Sequence, residues 1–228
     1  MNKTLFATSL LALALAAPLA QAHQAGDIIL RAGAITVDPH ESSTDIWVGA
    51  LGTDVAGTKA TLDSDTQLGL NFAYMVTDHV GVELLAATPF SHDVGVKGMP
   101  GAFAGLNGKL GELKHLPPTL SVVYYPLDAA SAFQPYVGAG INYTWFFDTK
   151  LSSEAEDKGF SGLDLDDSWG LAAQVGMDYM LTDNVMVNAQ VRYIDIDTQG
   201  STSFGGREVE VDVDVDPFVY MIGLGYKF

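Results

Sequence analysis

Four charged side chains fall where a β-strand would turn them inward. Arg31, Glu83, Asp178 and Arg192 each interrupt a run in which large apolar residues alternate with small or polar ones, and each sits on the small or polar phase. Gln190 shares the face of Arg192. If these strands close into a small barrel, its interior is just wide enough to be filled by side chains. Charges buried there must pair, because an unpaired one is costly. The expected chemistry is ion pairing. It would form either a structural plug or a polar floor that blocks or narrows axial passage.

A second set of acids points the other way. Asp212, Asp214 and Asp216 alternate with valines near the C-terminus, and Asp195 and Asp197 do the same on an earlier segment. This is no EF-hand, which needs a turning loop ending in a bidentate Glu. Alternate carboxylates on one strand stand ~7 Å apart, too far to chelate one ion together. A solvated acidic wall is the expected reading, with a divalent site bridging to lipopolysaccharide phosphates as the other. No metal or cofactor is expected. Nor is catalysis: acyl chemistry needs a His beside a nucleophile. His23, His40, His79, His92 and His115 are read as lying at the mature start, past a strand, in a turn and in a long loop. No catalytic residue is assigned.

The elements that must carry these groups are strands. From Phe218 the even positions are Phe218, Tyr220, Ile222, Leu224, Tyr226 and Phe228, against Val219, Met221, Gly223, Gly225 and Lys227. Large outside and small or polar inside describes a barrel wall in lipid. Upstream the phase holds while the chemistry changes. The outer face becomes Glu208, Glu210, Asp212, Asp214 and Asp216, and the inner face becomes Val209, Val211, Val213 and Val215. Read as one strand, about 20 residues at ~3.3 Å each, tilted ~40°, rise roughly 50 Å. An apolar band of ~25 Å takes up only half of that.

Similar alternation marks seven earlier segments, near residues 27–38, 66–76, 80–87, 119–125, 136–145, 168–180 and 185–197. Short turns at Thr77-Asp78-His79 and Thr182-Asp183-Asn184 alternate with longer loops at 39–65, 89–118 and 148–167, and 200–206 reads as a turn. Gly101 to Leu106, inside the second loop, is expected to form a short helix. The fold class is therefore all-β: an eight-stranded antiparallel transmembrane β-barrel with short periplasmic turns and long extracellular loops.

Composition bounds the setting. Asn2-Lys3-Thr4, an apolar run from Leu5 and the A-x-A site ending at Ala22 predict a cleaved signal peptide over 1–22, leaving one domain over 23–228. The net charge of −17 argues against nucleic acid as a partner. The chain has no cysteine, which suits an exported bacterial barrel that needs no disulfide. The compartment expected is the outer membrane of a Gram-negative cell. Lipid and lipopolysaccharide would surround the wall there, and the C-terminal strand would meet the assembly machinery.

Several blocks resemble one family. Asp27-Ile28-Ile29-Leu30-Arg31-Ala32-Gly33-Ala34 and Tyr74-Met75-Val76-Thr77-Asp78-His79-Val80-Gly81-Val82-Glu83 are similar to the OmpW family of small outer-membrane proteins. So are His115-Leu116-Pro117-Pro118-Thr119-Leu120-Ser121, Pro135-Tyr136-Val137-Gly138-Ala139-Gly140 and Gly225-Tyr226-Lys227-Phe228. The resemblance covers the whole mature chain. It implies an eight-stranded barrel with a narrow hydrophobic channel, associated with uptake of small apolar compounds.

The residues point the same way. Ile35, Val37, Ile194, Ile196, Val209, Val211, Val213 and Val215 share the inner phase above the charged level and are expected to line one apolar cavity. Val and Ile are also good strand formers anywhere, but their strict alternation against acids in two segments favours a funnel. Pro217 is read as lying inside a continuous strand, where it removes a ladder donor. It is the candidate for a sideways opening. The alternative is a pore-free structural or lipopolysaccharide-anchoring barrel.

Overall fold

The computed structural model describes residues 22–228. The expected signal segment lies outside the described residues apart from Ala22. Eight strands close the wall: β1 (Ile28–Asp38), β2 (Asp65–Met75), β3 (Val80–Ala87), β4 (Thr119–Tyr124), β5 (Phe133–Leu151), β6 (Ser168–Met180), β7 (Val185–Ile194) and β8 (Phe218–Lys227). Around the barrel the order is β4-β3-β2-β1-β8-β7-β6-β5, and pairing of β4 with β5 completes the ring. Every pairing is antiparallel. Closure leaves no free edge, as lipid demands.

The alternation explains the wall. Leu70, Phe72, Leu84, Val122, Ile141, Leu171, Ile222 and Leu224 point outward and are exposed. Aromatics gather at two levels: Tyr143, Trp145, Trp169, Tyr193 and Phe218 above, and Tyr74, Tyr124, Phe133, Tyr226 and Phe228 below. Such belts mark the two membrane interfaces. Inside, small residues make room for large ones. A Cβ on Gly176 would run into the Tyr136 ring, so glycine there lets that phenol cross the lumen.

Above the upper belt the chain departs from the expected plain loops. The 89–118 segment is a hairpin, Phe90–Lys97 against Gly108–Leu116, with the expected short helix as a 3-10 turn at its tip (Gly101–Leu106). One arm pairs with the upper half of β5 and the other with Lys59–Leu62. A second sheet runs Phe160–Leu165, Asp197–Phe204, Arg207–Asp214, Ile46–Val48 and Thr53–Val55, with Ser42–Ser43 alongside. The expected turn at 200–206 shrinks to Gly205-Gly206, both at positive φ (56° and 76°). The barrel thus carries an extracellular extension built of strands.

One expectation is overturned. The last strand is not continuous from 208 to 228: it ends at Asp214 and resumes at Phe218. Pro217 brings no N–H to a ladder, and Asp216 takes φ 40°, which bends the chain out of the pleat.

Candidate functional site: floor, funnel and seam

The floor is a chain of alternating charges. Arg31 on β1 grips Asp178 on β6 through both oxygens, Nε to Oδ1 at 3.0 Å and Nη2 to Oδ2 at 2.6 Å. Its Nη1 reaches Glu83 on β3 at 3.3 Å, and Arg192 on β7 meets the other oxygen of Glu83 at 2.7 Å. All four are buried. Two cations and two anions cancel, which a low-dielectric lumen requires. Neutral groups complete the set. Asn188 donates to Asp178 at 2.9 Å, Gln174 to Glu83 at 3.0 Å, and Tyr125 accepts from Arg31 at 2.8 Å. Gln190 lies at the upper margin, between the Tyr136 hydroxyl at 3.4 Å and the Met221 sulfur at 3.2 Å.

Several members of this network were not picked out in the sequence. Gln174 and Asn188 share the inward phases of Asp178 and Arg192 but were not assigned to the floor, and Tyr125 and Tyr136 lie on inward phases that alternation could have found. His23 could not have been found that way. It reaches the lumen from the N-terminal segment, sets Nε2 3.0 Å from Asp178, and packs edge-on to Tyr125. Beside it Ala22 is buried, with its amide on the Ala129 carbonyl.

Above the floor the lumen is apolar. Ile35, Val37, Ile194, Ile196, Val213 and Val215 form one buried cluster with Phe90, Leu113, Phe146, Val219 and Met221, and Val211 packs on its margin. Val209 belongs to a higher cluster with Ile46 and Met99. The single cavity expected is therefore divided. The uppermost, about 60 Å³, lies among Met99, Phe103, Leu106, Phe160 and Val209. A middle one of about 70 Å³ is lined by Val209, Val211, Val213 and Val215. The lowest, about 10 Å³, touches Val37, Pro39, His92, His115, Ile196, Val215 and Pro217. Met99, Phe160 and Val209 wall the first two, and Leu62 and Val215 the last two. Ile35 and Ile194 border none of the three and pack beneath them.

Pro217 sits at a seam. Tyr193 pairs with Phe218 and Asp197 with Asp214, so one register runs across the break. Ile194 N donates to Pro217 O at 3.2 Å, and the proline has no N–H to return. On the other side Asp38 pairs with Phe218 and Ser42 with Asp214, which sets Pro39 opposite Pro217. Between those pairs the backbone bond is His40 N to Val215 O, 3.0 Å. Two prolines therefore face each other at one level of the wall, next to Phe218 of the upper aromatic belt.

The acidic ladders stay on the outer face. Asp195, Asp197 and Asp216 bring carboxylate oxygens within 4.8 Å of one another, at the seam rather than along one strand. His92 and His115, read from the sequence as loop residues, are instead buried on paired strands.

This geometry has known counterparts. The OmpW family model matches residues 24–228. Outer membrane protein W of Vibrio cholerae is 46% identical over 228 residues, covering 100% of both chains. The crystal structure of the outer membrane protein OprG from Pseudomonas aeruginosa superposes with a TM-score of 0.86 at 55% identity, covering 91% of this chain and 98% of that one. Outer membrane protein AlkL of Ectopseudomonas oleovorans is 29% identical over 192 residues, 82% of this chain and 76% of its own. With a closed eight-stranded wall and a match spanning all the barrel strands, the chain belongs to the OmpW family and is a Gram-negative outer-membrane β-barrel.

Proposed function

We propose that this barrel is a channel for passive uptake of small hydrophobic molecules, entering from the extracellular side and leaving sideways into the bilayer near Pro217. The observation that carries this reading is the stack of apolar cavities above a paired, buried floor. A solute drawn into them gains burial worth ~25 cal/mol per Å², and the charged floor offers it no onward path. The downhill exit is lipid. Pro39 and Pro217 meet where the lowest cavity touches the wall, and the bond that Pro217 cannot donate to Ile194 is missing at the level where an exit is needed.

The middle cavity, about 70 Å³, is roughly half the ~150 Å³ that accommodates benzene in an engineered core. Passage therefore requires side chains such as Met99 and Phe103 to move aside. The sealed floor also suits a pore-free barrel that serves as a structural or lipopolysaccharide-anchoring element. Uptake of a small apolar probe into lipopolysaccharide-containing liposomes decides between them. Flux above that of protein-free liposomes is expected, and flux equal to it selects the pore-free barrel. We also infer that residues 1–22 are removed on export and that β8 is the strand presented to the assembly machinery.

A further inference from the structure

Two histidines outside the floor meet at the lower end of the apolar cavities. His92, on Phe90–Lys97, and His115, on Gly108–Leu116, are both buried, with Nε2 atoms 2.8 Å apart and ring centroids 4.8 Å apart. With both rings neutral, hydrogen bonding sets their tautomers. His92 Nδ1 lies 2.6 Å from the Asp63 carbonyl oxygen, which can only accept, so this nitrogen carries the proton. In a neutral ring the other nitrogen is then an acceptor. His115 Nε2 must donate to it. That leaves His115 Nδ1 as a bare lone pair, buried and without a protein partner.

The surroundings suit a ligand. Burial, reinforced by His92 and opposed by Asp65, lowers the His115 pKa to about 3, so the acceptor stays neutral near pH 7. Phe90 and Phe146 lie against its ring at 5.3 and 5.7 Å. The cavity that both histidines border, about 10 Å³, has room for about one water-sized group. Leu62 and Val215 are walls it shares with the larger apolar cavity above. With Leu62 or Val215 moved aside, a solute can rest its body in the larger space and place one polar group in the smaller.

We propose that His115 Nδ1 accepts a hydrogen bond from the solute, and that the channel favours small apolar molecules carrying one hydroxyl or N–H donor, such as phenols, over hydrocarbons of the same shape. This rests on the uptake reading above. A single neutral hydrogen bond of ordinary strength corresponds to a preference of roughly three- to ten-fold.

The test compares phenol with toluene. In the full-length barrel with ¹⁵N-labelled histidine in lipid nanodiscs, phenol is expected to move the His115 Nδ1 resonance toward its hydrogen-bonded position, and toluene is not. In liposomes, the phenol-to-toluene uptake ratio, corrected for protein-free liposomes, should exceed one by that factor and fall toward one in His115→Phe. A resonance that responds to neither solute, or equally to both, overturns the inference. So does a ratio that His115→Phe leaves unaltered. If that variant does not assemble, the wild-type resonance decides alone. Toluene uptake without a phenol preference sinks this inference and spares the channel, whereas no uptake of either sinks both.

Discussion

The Pro217 carbonyl takes the Ile194 amide at 3.2 Å, and the opposite bond of that pair cannot form. On its other flank Pro217 faces Pro39. Pro217→Val restores a donor toward Ile194 and closes one side of the seam. A neutral hydrogen bond contributes about 1 kcal/mol, so apolar uptake is expected to fall by roughly five-fold while the barrel still assembles. A folded variant with the added ladder bond and wild-type uptake removes the lateral exit from the mechanism.

Val213 tests the funnel itself. It is buried in the apolar cluster and lines the middle cavity. Val213→Asp sets a carboxylate on the proposed path of the solute, and an uncompensated polar group in such a site is unfavourable by several kcal/mol. Uptake of apolar probes is expected to drop at least ten-fold. Heat-modifiable migration on a gel checks that the barrel is intact. Unchanged uptake in an intact variant would show that solutes do not use this lumen.

Alternation made the barrel legible. Phe218, Tyr220 and Ile222 could face nothing but lipid once Val219, Met221 and Gly223 faced in, and each neighbouring strand repeated the same choice. It also placed Arg31, Glu83, Asp178 and Arg192 inside, where burial then forced them together. Two things were hidden. The strands of the extension read as loops because their outward faces meet water, so Ser, Thr, Asp and Gly replace the lipid-facing apolar residues that had marked strands below. The break at Pro217 was hidden because register and phase continue through it: Asp197 still pairs with Asp214. Pro217 announced one missing donor, but the positive φ of Asp216 beside it, a backbone property, is what interrupts the strand. His23 was beyond reach as well, since its place depends on the segment before β1 folding back into the lumen.

The floor predicts a sharp stability asymmetry. Arg31→Met leaves Asp178 and half of Glu83 buried without their cation, and breaking a buried pair in this way costs about 3–5 kcal/mol. Removing Asp178 as well, in an Arg31→Met/Asp178→Leu double variant, should recover part of the loss. Urea unfolding in lipid vesicles, followed by tryptophan fluorescence, reads both. Additive losses in the double variant would mean that the two residues are not coupled through the 2.6 Å contact.

His115 gives the barrel a titration that can be assigned to one residue. Its folded-state pKa is about 3, depressed first by burial, then by His92, and partly offset by Asp65. In the unfolded chain it returns to about 6.5. The unfolded state therefore takes up the proton first as pH falls. The stability linked to this group is complete above about 6.5 and is lost progressively as pH drops toward 3, at up to ~1.4 kcal/mol per pH unit. Between pH 6.5 and about 5 most carboxylates are still ionised, so histidines dominate this window, and the difference between the wild type and His115→Phe assigns the share of His115. Urea midpoints of the wild type are expected to decline across it, and those of His115→Phe to decline less. Equal slopes in the two proteins would mean that His115 is already accessible to protons in the folded barrel, and that the lone pair on its Nδ1 is not sealed from water.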